Sequence, residues 1–356
     1  MSGGIDITLT WNGRHVTAVD IVMQRPRATR LLLGLPHGQA LALLPRLYSL
    51  CGKAQGAAAR LALAAAGADV GPARLTLDEQ KQLLVEQAQE HLWRLLRDWP
   101  IMLGLPAHDV EFTRCYRQLA ALATSLDRRT ESAHFLAWVE RDLLGIVPGG
   151  AALALPLLAR LQNFDGVPEQ VSAGLPLHLR AIDFAPAWPA DFADYPRWQG
   201  LPAETGSSAR WARAGQGGLV ARLNSRLLAL LACTRQLVAL AVPGNEAAAD
   251  EIDTTLADSV PLPDNGGLAR VDTARGMLLH RLQLAGERIA DYQVVAPTEW
   301  NFHPQGACAV ALAALQADDE VSLRALAGCW LTAFDPCVGW TLKVINSKHQ
   351  QGIKHA

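Results

Sequence analysis

Apolar and polar residues alternate strictly at the start of the chain. In "IDITLTWNGRHVTAVDIV" the alternation runs on either side of Asn12-Gly13, which predicts a β-hairpin closed by a type I′ turn. From about Gly38 the period lengthens to that of a helix. "TLDEQKQLLVEQAQEHLWRLLRDWP" opens with a capping box, Thr76 to Glu79. It sets Leu84, Ala88, Leu92 and Leu95 on one face and is expected to stop at Pro100. Further helices are predicted around 109–127, 130–144 and 219–242. Residues 183–218 are rich in Pro, Gly and Trp and lack any period, so they read as a long surface excursion pinned by its aromatics. "GMLLHRLQLAGERIADYQVVAP" returns to strand texture around Gly286, and 305–333 reads as a final helix. No internal repeat is visible.

Composition narrows the function. Half of the 356 residues are apolar, ample for a sizeable core, and the net charge of -2 comes without a Lys/Arg cluster. That argues against a nucleic-acid or acidic-membrane partner. The start has no basic segment ahead of an apolar one, and the longest uncharged run, between Asp142 and Arg160, is broken by Pro148, Gly149, Gly150 and Pro156. A cytoplasmic location is expected. The six cysteines are scattered without a CxxC, which speaks against a disulfide framework or a zinc site. Cys115, Cys233, Cys308 and Cys329 are expected to be small buried apolar side chains.

Two cysteines stand apart. In "LYSLCGKAQGAAAR", Cys51 precedes an Ala-rich helix, whose N-terminal dipole is expected to favour thiolate. In "FDPCVGWTL", Cys337 follows a proline, where a side chain can be held rigidly. Only the fold can bring them together.

These two stretches resemble the RICGxCPxxH and DPCxxCxxH segments of the large subunit of nickel-iron hydrogenases. "TARGMLLHRLQLAGERIADYQVVAPTEWNFHP" resembles the same family's APRGxLxH…GxIxxYQxVxPTTWNxxP segment almost continuously. The similarity covers about the first 65 residues and most of 265–343. It implies an α+β, mainly helical large-subunit-like fold in one domain, 1–356. The expected parts are a β-hairpin region over 1–35, a helical body over 38–245, a β segment, final helix and cysteine motif over 265–343, and a tail over 344–356.

The departures from that family decide the function. The second cysteine of each pair is replaced, by Ala54 and by Trp340. The histidine positions hold Ala58 and Lys343, and Thr29 falls where the family carries an acidic residue. Two thiolates cannot both bridge two metals and fill terminal sites, and the usual proton relay is missing. Hydrogen oxidation is therefore not expected. The chain continues past Lys343 as "VINSKHQQGIKHA", so the family's C-terminal trimming is not expected either.

The cyanide and carbonyl pocket survives as Ala274 to Leu278 and Ala296 to Thr298. A fixed guanidinium (Arg275) and a hydroxyl (Thr298) suit cyanide nitrogens, while Leu278 and Pro297, with Ala296 in the same pocket, suit carbon monoxide as an apolar wall. Cys51 and Cys337 would supply soft sulfur to iron. The chain thus resembles the HupK/HoxV type of hydrogenase maturation protein. That resemblance implies a non-catalytic scaffold for an iron dicyanide monocarbonyl fragment, without nickel. Small maturation proteins of the HypC/HypD type would be the donors and a hydrogenase large subunit the acceptor. The alternative is a cofactor-free interaction protein that binds the maturation factors. The retained cysteines match the family's terminal nickel ligands, so iron either sits toward the nickel position or takes one sulfur at a time. His280 and His303 are expected to be hydrogen-bonded structural histidines.

Overall fold

The computed structural model describes residues 3–24, 28–48, 50–124, 129–162, 174–186, 188–211 and 218–347. The opening alternation forms β1 (Gly4–Trp11) and β2 (Val16–Gln24), paired antiparallel with Ile7 opposite Ile21. Ile5, Ile7, Leu9 and Trp11 point into the core. The hairpin turn differs from expectation. It is a four-residue loop with a bulge after Thr10, in which the Asn12 side chain accepts from the backbone N–H groups of Arg14 and His15. Asn12 thus acts as a side-chain turn former rather than as the first half of a two-residue turn.

The helical body consists of α1 (His37–Leu47), α2 (Gly52–Ala65), α3 (Leu77–Trp93), α4 (Trp99–Met102), α5 (Asp109–Leu122), α6 (Arg129–Trp138) and α7 (Leu155–Leu161). Short helix α8 (Ala181–Phe184) leads into the 183–218 stretch, and α9 (Ser207–Trp211) lies within it. They precede α10 (Gly218–Leu240) and α11 (Glu246–Leu256). The capping box forms at Thr76, and Leu84, Ala88, Leu92 and Leu95 are all buried. The helix does not stop at Pro100. A π-helical turn over Arg94–Asp98 carries it into α4, where Pro100 occupies the first turn and needs no N–H partner.

Strands β3 (Ala257–Leu262), β4 (Gly266–Thr273), β5 (Gly276–Ala285) and β6 (Arg288–Val295) form an antiparallel meander in that order. The sheet begins earlier than the sequence pattern suggested. Asp264 and Asn265 both have positive φ between Pro263 and Gly266, as a type I′ turn requires. The Ala-rich α2 lies directly on β4. A Cβ on Gly267 would come within 1.9 Å of the Ala62 carbonyl, so only glycine permits this approach.

Beyond the sheet come α12 (Pro297–Asn301), α13 (Ala307–Ala313) and α14 (Glu320–Phe334). The expected single helix over 305–333 is thus two. The expected tail is in part a strand, β7 (Gly339–Asn346), paired parallel with β1 so that Trp340 lies opposite Ile5; residues 348–356 lie outside the described ones. The chain is α+β. Among the described residues no helix is long and apolar enough to cross a membrane.

The aromatic excursion is pinned down. Phe184 and Phe192 flank the buried Trp300 with ring centroids 6.1 and 5.8 Å away, and Trp188 donates to Gln293 Oε1 at 2.5 Å. Around Trp300 they build a second, smaller core. Ala187 and residues 212–217 of this stretch lie outside the described residues.

Candidate functional site

Four parts of the chain meet between α2, α3, the β4–β5 turn and the end of α14. Cys51 is the N-cap residue of α2. Its side chain does not cap the helix, because Glu86 of α3 takes that place: Glu86 Oε2 accepts from Lys53 N at 2.8 Å and Oε1 from Ala54 N at 3.0 Å. The expectation of a thiolate-favouring Cys51 is therefore corrected. Burial pushes the Cys51 thiol up to about 12, and the nearby Cys337 and Glu86 push the same way. The N–H groups that would have favoured thiolate are spent on a carboxylate. Glu86 itself is pushed up to about 7 by burial, against those two hydrogen bonds.

Cys337 follows α14 through an unusual corner. Asp335 ends that helix in the left-handed region (φ 53) and is buried. Three guanidinium groups hold it there: Arg94 Nε at 2.5 Å, Arg226 Nη1 at 2.9 Å and Arg275 Nε at 3.2 Å. Burial alone would raise its carboxyl, but Arg275, Arg94 and Arg226 together hold it well below the usual carboxylate range. Arg94 also reaches the Pro336 carbonyl at 3.3 Å, so the residues leading into Cys337 are clamped on side chain and backbone.

Arg275 sits in the turn between β4 and β5, with its side chain buried. Nη2 pairs with Glu90 Oε2 at 2.6 Å and Nε with Asp335. Among the described residues Nη1 is not used in these pairs. Burial works against its charge, but Asp335, Glu90 and Cys337 more than offset that. Gly206 and Gly276 let the segment just before α9 pass against this turn. A Cβ on Gly206 would lie 2.5 Å from the Arg275 carbonyl.

Thr298 is buried on α12. Its Oγ1 lies 3.1 Å from Cys337 Sγ and accepts from Cys337 N at 3.3 Å. Leu278, Ala296 and Pro297 are buried and present hydrocarbon only. Ala296 also borders a cavity of about 220 Å³ together with Thr29, Tyr48, Tyr292 and Glu299. Trp340 is drawn into β7, where it packs on the main core beside β1.

Thr298 touches Cys337, and Cys51, Arg275 and Cys337 lie within electrostatic reach of one another, so these four of the sequence-derived residues share one region. Cys115, Cys233, Cys308 and Cys329 are buried elsewhere. His303 is buried and accepts from Gln305 N. Sequence reasoning missed Glu86, Glu90, Arg94, Arg226 and Asp335. Two signals were available: Glu86 and Glu90 sit one helical turn apart, and Asp335 lies inside the quoted "FDPC".

The arrangement offers two sulfurs, a guanidinium, a hydroxyl and an apolar wall. Among the described residues no group of three or more His, Cys, Asp or Glu could hold a metal ion. A bare ion would be under-coordinated here. Two sulfurs leave most positions on any bound metal to ligands from elsewhere.

The family described as nickel-dependent hydrogenase matches residues 214–339. The chain is 34% identical to the hydrogenase expression/formation protein HoxV of Cupriavidus necator, over 92% of this chain and 93% of that one. It is 33% identical to the hydrogenase expression/formation protein HupK of Rhizobium leguminosarum bv. viciae, over 96% and 97%. Its fold is similar to the Ni-Fe-Se hydrogenase of Desulfomicrobium baculatum, with a TM-score of 0.63 at 13% identity over 92% of this chain and 95% of that one.

Proposed function

This chain belongs to the HoxV/HupK family of hydrogenase expression/formation proteins, and from that premise we propose that it is a non-catalytic scaffold that carries an iron dicyanide monocarbonyl fragment. The observation that carries the reading is the donor set: two thiols beside Arg275 and Thr298, with no third protein ligand of the usual kind among the described residues. Three diatomic ligands on the cargo leave few positions for protein, and two sulfurs suit them.

Each residue then has a role. Cys51 and Cys337 bind iron as thiolates. Arg275, held by Asp335 and Glu90, aims a fixed guanidinium at a cyanide nitrogen, a strong charge-assisted acceptor. Thr298 supplies a hydroxyl beside Cys337, and Leu278, Ala296 and Pro297 face the carbonyl. Small maturation proteins of the HypC/HypD type are the donors and a hydrogenase large subunit is the acceptor.

The test is metal analysis and infrared spectroscopy on protein co-produced with the maturation machinery and purified anaerobically. Wild type should hold iron with cyanide and carbonyl bands, and Cys51→Ala and Cys337→Ala should lose most of both. Wild-type iron and unchanged bands in both variants would sink the carrier reading and leave a cofactor-free interaction protein.

A further inference from the structure

A file of hydrogen bonds runs through the interior and ends on the sulfur of Cys51. Tyr292 OH of β6 lies 2.8 Å from His280 Nδ1 of β5. His280 Nε2 lies 2.9 Å from Gln55 Oε1 on the first turn of α2, and Gln55 Nε2 lies 3.6 Å from Cys51 Sγ. Tyr292, His280 and Gln55 are 4%, 0% and 1% exposed, so their bonds are shielded from bulk solvent. The far end, Tyr292, borders the 220 Å³ cavity next to Ala296.

The polarity of the file follows from its chemistry. Burial drives the His280 pKa down to about 3, so the imidazole is neutral and carries one N–H. Gln55 turns its oxygen to His280, so that N–H is on Nε2. Nδ1 then accepts, and the Tyr292 hydroxyl donates to it. Every bond points the same way, and the last donor, an amide N–H, meets sulfur. Packing alone would have been served by apolar side chains of the same shape. A buried polar file that is satisfied along its length instead fixes one orientation of Gln55.

We propose that Gln55 and His280 are positioning residues for the cargo: they hold an N–H···S hydrogen bond on the Cys51 thiolate and so set how much electron density that sulfur gives to iron. The inference rests on Cys51 being an iron ligand. Groups behind a metal ligand commonly fix its orientation and tune its donor strength. Cys337 has its own partner in Thr298, so the two sulfurs are tuned by different donors, an amide and a hydroxyl.

The experiment compares wild type with Gln55→Leu, His280→Phe and Tyr292→Phe, all loaded by co-production. Without the amide donor the thiolate gives more density, iron returns more to carbon monoxide, and the carbonyl band should fall in frequency while iron is retained. The shift should be largest for Gln55→Leu, smaller for His280→Phe and smallest for Tyr292→Phe. A merely structural role would lower thermal stability in that series without moving the band. Cobalt(II) added to the cargo-free proteins provides an arm that does not need the iron fragment. The sulfur-to-cobalt charge-transfer absorption should move to lower energy in Gln55→Leu. Wild type without cyanide and carbonyl bands but with this cobalt shift would remove the carrier reading and leave the positioning role standing. Gln55→Leu with wild-type carbonyl and cobalt bands, or wild type that binds cobalt without sulfur, would overturn the positioning role.

Discussion

Asp335 and Arg94 meet at 2.5 Å, two residues before Cys337, and Asp335 does so with a left-handed backbone. The carboxylate is also the shared partner of Arg226 and Arg275. Asp335→Asn keeps a residue type that tolerates positive φ, so backbone strain is not the variable. What is lost is the charge that compensates two buried guanidinium groups, Arg226 and Arg275, and the half-buried one of Arg94. Breaking a buried pair of this kind costs about 3–5 kcal/mol, and a large drop in the urea midpoint is expected. A variant with wild-type stability would show that the cluster is hydrated or rearranged.

Glu86 predicts a pH dependence with a definite sign. Its folded pKa, about 7, lies above its ordinary value of 4.5, so the folded chain holds the extra proton between those values. Its contribution to stability is full below about pH 4.5 and is lost as pH rises through about 7. The loss is on the order of 3 kcal/mol at most. His91 and His280, both pushed down by burial, work in the opposite direction over part of this range. The difference between wild type and Glu86→Gln isolates the effect. Relative to wild type, the variant should gain stability from pH 5 to pH 8 in urea titrations. A constant difference would contradict the burial of this carboxyl.

Cys51 should be a sluggish nucleophile in the cargo-free protein. A thiol pushed up to about 12 is almost wholly protonated at pH 8. Mass-spectrometric mapping after brief alkylation with iodoacetamide should find Cys51 labelled far more slowly than a free model thiol. The rate should keep climbing well beyond pH 9. Rapid labelling with a plateau near pH 7 would mean that the helix dipole, not burial, governs this sulfur.

Gly267 fixes how closely α2 can approach the sheet. In Gly267→Ala the new Cβ would meet the Ala62 carbonyl at 1.9 Å, and two backbones must separate to admit it. Overpacking of this kind costs about 3 kcal/mol or more. Because α2 carries Cys51 and Gln55, iron retention should fall with stability in this variant. Calorimetry and iron analysis on one preparation check the link.

Much of the fold was legible where the signal is local. The first hairpin, the Thr76 capping box and the β5–β6 turn at Gly286 each declare themselves within about ten residues. The ends that hold Cys51 and Cys337 were legible only through family resemblance. What escaped notice depends on partners distant in sequence. "GWTLKVIN" reads as a polar tail until β1 supplies its hydrogen bonds. The protonation of Cys51 was misjudged because Glu86, on another helix, occupies the α2 N-terminus. Pro100 looked like a helix stop because a π-helical turn leaves no mark in the hydrophobic period.

The parallel pairing of β1 with β7 imposes an order of events at the ribosome. Residues 4–11 are translated long before their partner, 339–346. Until then β1 has β2 alone as a neighbour, and Cys51 at the start of α2 is without Asp335 and Cys337. A nascent chain stalled before residue 335 therefore has only Cys51 of the two sulfurs and lacks the Asp335 corner. On the proposed carrier role, a donor that engages earlier meets only one of the two sulfurs.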